Sequence, residues 1–218
     1  MGNHRSSYRR DNAILSAVER HGVLDAEQLE VLFFKHLKSG KRVCQRRLEV
    51  LSEKQLNRDR RSFAQPYFYY FGKVPGQVEH RLAVNWVYIW LVRGLKSWEQ
   101  IHSLEYEVAY KAFRVDALVA VKNKVTGRLK VYYIEADRSD NEFRKVLQLN
   151  VFYQSGAYRD AWWVPLADRF PVTVVATETD KRHRHITEKI NTENPGGLEF
   201  RLLCLSDIRG GCLGTDKA

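Results

Sequence analysis

The chain has few cysteines and no long apolar segment. Cys44, Cys204 and Cys212 lie far apart, without the paired spacing of zinc ligands, so neither a disulfide framework nor a structural zinc site is expected. No apolar run approaches the roughly 18–20 residues that cross a bilayer. The basic first ten residues are not followed by the apolar segment of a secretory signal. We therefore expect a cytoplasmic protein with no membrane partner.

Positive charge is what the chain has in excess. Its 36 Lys and Arg outnumber its 26 Asp and Glu, which gives a net charge of +10 and favours a polyanionic partner. The excess is uneven, because residues 1–75 carry 15 basic and only 8 acidic side chains. A hydrophobic share of 44% is ordinary for a folded protein. The first 75 residues are therefore the expected electrostatic docking surface.

Residues 1–75 have the pattern of a winged helix-turn-helix. Apolar periodicity predicts one helix over 12–21 that ends at Gly22, a second capped by Asp25, and a third that Ser39 opens. Two extended pieces joined by a basic tip follow. A solvated basic face is the alternative, but the combination of a basic helix with a basic hairpin tip favours DNA binding. The predicted DNA-contacting residues are Lys41, Arg42, Gln45, Arg46, Arg47, Arg58, Arg60 and Arg61.

The rest of the chain predicts a mixed sheet flanked by helices. A long apolar helix at 77–93 precedes two separate extended pieces at 97–102 and 105–110, after which strands and helices alternate. Paired glycines without apolar periodicity predict a loose C-terminal tail. The fold class expected from these patterns is α+β. The predicted domains are a DNA-binding domain at 1–75, a mixed α/β sheet domain at 76–208 and a flexible tail at 209–218.

Three carboxylates are concentrated in one predicted hairpin. Asp116 stands near the start of an apolar strand, and the next strand ends in Glu135-Ala136-Asp137. Side chains alternate along a strand, so Glu135 and Asp137 share a face. Clustered carboxylates need a compensating cation, and a hard divalent metal is the usual one. In a basic protein, this arrangement predicts a Mg²⁺ or Mn²⁺ site that acts on nucleic acid.

The acidic hairpin resembles the PD-(D/E)XK nuclease superfamily, in which an acid begins one strand and an acid-x-lysine sequence ends the next. The resemblance implies a restriction-endonuclease-like domain in which Asp116, Glu135 and Asp137 bind the metal beside the scissile phosphate. Asp137 stands where the motif has its lysine, and the nearest candidate for that role is Lys145 on the following helix. The alternatives are a second metal position completed by Asp137, or a site that only binds DNA.

Over residues 10–190 the chain is similar to the replication-relaxation family of plasmid and mobile-element proteins. This resemblance implies a nickase that binds double-stranded DNA at a plasmid origin. The alternative is a non-catalytic replication initiator or transcriptional regulator whose second domain forms a homodimer. A relaxase with Tyr153 as nucleophile and His183 and His185 on a metal is disfavoured, because residues two apart on a helix diverge. The matching segments are 80–86, 113–117, 133–139 and 170–177.

Overall fold

The computed structural model places seven α-helices and two β-sheets along the described chain, which confirms the α+β class. No helix in this part of the chain is long and apolar enough to cross a bilayer. The chain divides into two compact units, with the first boundary between Ile89 and Trp90 and a second between Gly211 and Cys212. The described residues are 3–111, 113–138 and 141–213.

The first unit contains the predicted helices and a small antiparallel sheet. Its strands are arranged in the order β1-β3-β2, and its core is formed by apolar side chains from all three early helices, such as Ile14, Leu29 and Leu48. The sequence did not predict β1, because three residues are too few for a periodicity. The elements are α1 Asn3–His21, β1 Val23–Asp25, α2 Ala26–Phe33, α3 Gly40–Ser52, β2 Asn57–Asp59, β3 Phe68–Tyr70 and α4 Val78–Arg93.

Local signals set several helix boundaries in this unit as predicted, although α1 begins at Asn3 rather than at residue 12. Gly22 follows α1 with φ of 76°, a conformation that glycine adopts without strain. Asp25 and Gln28 form a reciprocal capping box, in which Gln28 N donates to Asp25 Oδ1 at 2.7 Å and Asp25 N donates to Gln28 Oε1 at 3.1 Å. Gly40 begins α3 where a Cβ atom would lie only 2.4 Å from the Phe34 carbonyl oxygen. The turn between α2 and α3 therefore requires a glycine.

Helix α4 belongs largely to the first unit, although the predicted domain boundary preceded it. Gln28 Nε2 donates to the Leu82 carbonyl at 2.8 Å, and Asn85 Nδ2 donates to the Val23 carbonyl at 2.7 Å. Val78 and Leu82 also pack against apolar side chains of β1 and β3. These contacts tie the first turns of α4 to the small sheet. The boundary between the two compact units accordingly falls after Ile89 rather than after residue 75.

The second unit is built on a five-stranded mixed sheet in the order β4-β5-β6-β7-β8. Strand β5 is antiparallel to both of its neighbours, β4 and β6, while β6, β7 and β8 are parallel. A mixed sheet with flanking helices was the sequence prediction, and it is confirmed. The elements are β4 Glu99–Tyr110, β5 Phe113–Asn123, β6 Leu129–Asp137, α5 Lys145–Gln154, β7 Val172–Thr177, α6 Asp180–Glu193, β8 Phe200–Cys204 and α7 Leu205–Leu213.

Two segments differ from the prediction. Strand β4 is continuous over 12 residues, whereas the sequence indicated two pieces, because a register shift between Ile101 and Ser103 interrupts the alternation of side chains. Residues up to Leu213 are helical where a loose tail was predicted, and residues 214–218 lie outside the described chain. Burial of Ile208 and Cys212 offsets the low helix propensity of the neighbouring glycines.

Helices α5 and α6 cover one face of this sheet. Leu149 and Phe152 of α5 pack against Tyr133 on β6, and Ile186 of α6 packs against Val175 on β7. Because side chains alternate along a strand, Glu135 and Asp137 lie on the same face as Tyr133. The packing of the two helices therefore determines what surrounds the acidic end of β6.

Candidate functional site

Polar side chains occupy one end of four neighbouring strands, on the sheet face that α5 and α6 cover. The register pairs Asp137 with Thr177 and Thr177 with Cys204, so these three residues form a row across β6, β7 and β8. Ligands of open α/β sheets bind outside the carboxyl ends of the parallel strands. We call this region the carboxyl edge. Its residues are Asp116 on β5, Glu135 and Asp137 on β6, Thr177 on β7 and Cys204 on β8.

Glu135 is buried between an ammonium group and a second carboxylate. Its side chain is 8% exposed, and Lys145 Nζ at the start of α5 lies 2.9 Å from Oε1. Lys145 also donates a hydrogen bond to the Arg114 carbonyl. Asp116 Oδ2 accepts a hydrogen bond of 2.8 Å from the backbone N of Ala136, the residue next to Glu135. The structure thus brings together three of the predicted site residues, Asp116, Glu135 and Lys145.

The Glu135 carboxyl group has an unusual charge environment. Burial raises its pKa from 4.5 to about 8, and the negative charge of Asp116 acts in the same direction. The Lys145 ammonium lowers this pKa but does not outweigh burial. Apart from the Lys145 ammonium, no hydrogen-bond donor among the described residues is bound to Oε1 of Glu135. A buried, poorly satisfied oxygen beside a second carboxylate is an environment that a divalent cation would stabilise.

Asp137 is held by an arginine. Arg182 Nε and Nη2 on α6 donate to Asp137 Oδ2 at 2.9 and 2.7 Å, and Nη2 also donates to the Asn141 carbonyl at 2.5 Å. The two side chains are only 12% and 6% exposed. Within residues 3–111, 113–138 and 141–213, no three His, Cys, Asp or Glu side chains are arranged to hold one metal ion. Arg182 therefore compensates the charge of Asp137, the third of the predicted metal ligands.

Cys204 and His183 lie side by side at the same edge. Cys204 Sγ is 3.6 Å from His183 Nδ1 and 3.8 Å from Asp180 Oδ1. Burial raises the pKa of the Cys204 thiol, and the nearby acids add to the effect, so the thiol stays protonated near neutral pH. His185 is exposed and does not share the surroundings of His183. The arrangement does not support a relaxase in which both histidines bind one ion.

The predicted DNA-contacting residues of α3 fall into two groups. Arg47 donates two hydrogen bonds to the Asp11 carboxylate on α1, and the hydrogen bond with Asp11 raises the pKa of its guanidinium. Arg47 therefore holds α3 against α1 and does not belong to the exposed set. The side chains that are exposed on one face of α3 are Lys41, Arg42, Gln45 and Arg46.

The tip of the β2–β3 hairpin combines arginines with aromatic rings. The guanidinium groups of Arg58 and Arg60 lie over aromatic rings, and that of Arg60 is 4.0 Å from the ring centre of Phe63. Arg61 Nε lies 3.5 Å from Glu79 Oε1, so Arg61 is partly compensated. Phe63 is 89% exposed. The predicted DNA contacts at the tip did not include Phe63, because they were chosen by positive charge alone. A lone aromatic residue in a polar loop was the signal that could have indicated it.

A cleft of about 720 Å³ separates α3 from the hairpin. Arg42 and Arg46 lie on its helix wall, while Arg58 and Phe63 lie on its hairpin wall. Glutamates of α2 and α3 also line it, so the cleft itself is mixed in charge. Cations on both walls nevertheless suit a polyanion that contacts the helix and the hairpin together.

Two groups of side chains therefore bear on function, and each lies within one compact unit. One is the exposed face of α3 with the hairpin tip, and the other is Asp116, Glu135 and Lys145 at the carboxyl edge. No family model matches the chain, and neither a curated protein nor a solved structure matches it.

Proposed function

We propose that the protein binds double-stranded DNA and hydrolyses one of its phosphodiester bonds with the help of a divalent metal ion. The proposal rests on the proximity of Asp116, Glu135 and Lys145 at the carboxyl edge. Lys145 Nζ lies 2.9 Å from Glu135 Oε1. Two carboxylates and a lysine at one strand end are suited to metal-dependent phosphodiester hydrolysis. The resemblance to PD-(D/E)XK nucleases supports a restriction-endonuclease-like second unit.

Asp116 and Glu135 would hold the Mg²⁺ or Mn²⁺ ion. Magnesium is usually bound by one or two carboxylates together with waters and substrate phosphates, so a third protein ligand is not required. The ion would supply Lewis-acid polarisation of the phosphate and a water of lowered pKa. Lys145 stabilises the negative charge that develops on the phosphate oxygens. Asp137 is bound to Arg182 and takes no direct part in holding the ion.

We propose further that the first unit is a winged helix-turn-helix. The order α1-β1-α2-α3-β2-β3 and the sheet order β1-β3-β2 fit this motif. Helix α3 would enter the major groove with Lys41, Arg42, Gln45 and Arg46, and the hairpin would contact the adjacent backbone. The replication-relaxation resemblance suggests a plasmid origin as the DNA and nicking as the outcome.

A plasmid-cleavage assay with variants of the two carboxylates tests the catalytic proposal. Wild-type protein should convert supercoiled plasmid to relaxed DNA in Mg²⁺ or Mn²⁺. Asp116→Ala and Glu135→Ala should each lower the rate by roughly 10²-fold or more, while DNA affinity stays equal or improves because a negative charge is lost. Asp168→Ala is the matched control, because this carboxylate is exposed and pairs with Arg128. The control should cleave at the wild-type rate.

If no metal supports cleavage although DNA binding is intact, the nuclease proposal is overturned. That result would favour the second candidate, a non-catalytic initiator or regulator that forms a homodimer through its second unit. Leu147 and Val151 favour this candidate, because they lie one turn apart on α5 and are 56% and 51% exposed. Sedimentation of wild-type protein and of Leu147→Glu would then show whether this apolar pair is an interface.

A further inference from the structure

Helix α6 exposes a basic face. Lys181, Arg184 and His185 are all exposed, and their i, i+3, i+4 spacing places them on one side of the helix. In the described part of the chain none of the three is in an ion pair, whereas Arg182 is bound to Asp137 and Lys189 to Glu193. Glu188 reverses the charge one turn further along. Asp180 adds one carboxylate at the start of the helix, so the basic face consists of Lys181 and Arg184 with His185 beside them.

The opposite side of α6 is fixed to the sheet. Arg182 binds Asp137, His183 lies 3.6 Å from Cys204 Sγ, and Ile186 is fully buried. Thr179 also caps the helix by accepting a hydrogen bond from Arg182 N. These contacts hold the helix in one orientation, so the basic face is turned away from the sheet.

The basic face begins beside the proposed catalytic group. Strand β7 ends at Thr177, which pairs with Asp137 on β6, and α6 starts at Asp180. Neighbouring strands are about 4.8 Å apart, so the end of β7, three residues before α6, lies roughly one strand spacing from Asp137 on β6. Duplex DNA carries one negative charge per about 1.7 Å of its axis. A duplex with one phosphate at the carboxyl edge therefore has further phosphates on both sides of it, and α6 begins just after the strand next to β6.

We propose that Lys181, Arg184 and His185 form a second DNA-binding surface, which contacts phosphates of the duplex next to the bond cleaved at the carboxyl edge. This inference rests on the proposed function, since it takes the same DNA as the ligand. Charge complementarity determines the occupant: the cations Lys181 and Arg184, with the His185 imidazole as a hydrogen-bonding group beside them, match phosphates of a duplex.

Charge reversal on α6 tests the proposal without requiring catalysis. Binding of full-length protein to a duplex is measured by fluorescence anisotropy over a salt series in metal-free buffer. Lys181→Glu/Arg184→Glu should weaken binding roughly 10- to 100-fold and lower the salt slope by about 2, because each lost phosphate contact removes about 0.9. The matched control is Lys122→Glu/Lys124→Glu, which makes the same charge change at the opposite end of the β5–β6 hairpin. The control should bind nearly as tightly as wild type.

A hydroxyl-radical footprint separates this inference from the nuclease proposal. The charge-reversed protein should lose protection of a few phosphates at one side of the site while the α3 contacts remain. If affinity, salt slope and footprint all match the control, the α6 surface is ruled out, whether or not the protein cuts DNA. If they change as expected but plasmid is never cut, the surface stands and the nuclease proposal falls. Lys181→Gln/Arg184→Gln replaces the reversal if that variant unfolds, and it should show an intermediate loss.

Discussion

At the residue scale, Glu135 has the most perturbed environment of the proposed catalytic group. It ends up buried because α5 packs across the sheet and brings Lys145 over β6. The ammonium compensates its charge only in part, since burial and Asp116 still raise its pKa to about 8. The native protein therefore holds a proton on Glu135 at pH values where the unfolded chain has released it. This difference makes the stability of the protein depend on pH.

The expected effect is a loss of stability as the pH rises. Because the folded-state pKa is raised, the contribution of Glu135 is fully present below about pH 4.5 and is lost as the pH rises through about 8. Glu135→Gln cannot ionise, so it should be more stable than wild type at pH 9 by on the order of 1–4 kcal/mol, with little difference at pH 4.5. Urea unfolding at several pH values measures this. Glu178→Gln, an exposed site, is the control, and parallel pH curves for wild type and Glu135→Gln would contradict the prediction.

At the element scale, the Asp137–Arg182 pair fixes α6 to the carboxyl edge. Arg182 connects the end of β6 to the first turn of α6 and also binds the Asn141 carbonyl in the segment leading to α5. Both side chains are almost completely buried, so removal of one partner leaves an uncompensated charge. The pair therefore has a structural role, which differs from the metal-binding role that the sequence predicted for Asp137.

Asp137→Asn should separate these two roles. It should destabilise the protein by about 2–4 kcal/mol, because Arg182 loses its partner, while Mn²⁺ affinity stays within about two-fold of wild type. Asp116→Asn should instead change the free energy of unfolding only slightly and should abolish Mn²⁺ binding. Urea unfolding and calorimetric Mn²⁺ titration provide the two measurements. A loss of metal binding in Asp137→Asn at a temperature where it is folded would restore Asp137 as a ligand.

Local signals in the sequence predicted most of these elements, but not the contacts between them. The cap at Asp25 and the glycine after α1 depend on neighbours within four residues, and both are confirmed. The pairing of Asp137 with Arg182 joins residues 45 positions apart, so it follows only from how α6 packs. The sequence did not predict β1 for the same reason, because its three residues form a strand only by pairing with β3.

At the scale of the whole molecule, the excess positive charge and the carboxylates of the carboxyl edge lie in different units. The first 75 residues hold 15 basic against 8 acidic side chains, whereas the carboxylates of the carboxyl edge lie in the second unit. If the first unit provides most of the DNA affinity, substitutions there should weaken DNA binding but change the cleavage rate at saturating protein only slightly. The salt dependence of binding should then fall with each exposed cation removed from α3, but not with cations that lie outside α3, the hairpin tip and the basic face of α6.

Arg42→Glu/Arg46→Glu should lower DNA affinity roughly 10- to 100-fold near 0.1 M salt and reduce the salt slope by about 2. At saturating protein, the cleavage rate should return to within a few-fold of wild type, since the carboxyl edge is unchanged. Arg20→Glu/Lys54→Glu is the matched control: both residues are exposed, and Lys54 lies with Asp11 and Arg47, outside the cleft that Arg42 and Arg46 line. Equal losses in both double variants would mean that net charge, rather than the α3 face, governs binding. A cleavage rate that stays low at saturation would mean that α3 also positions the scissile bond.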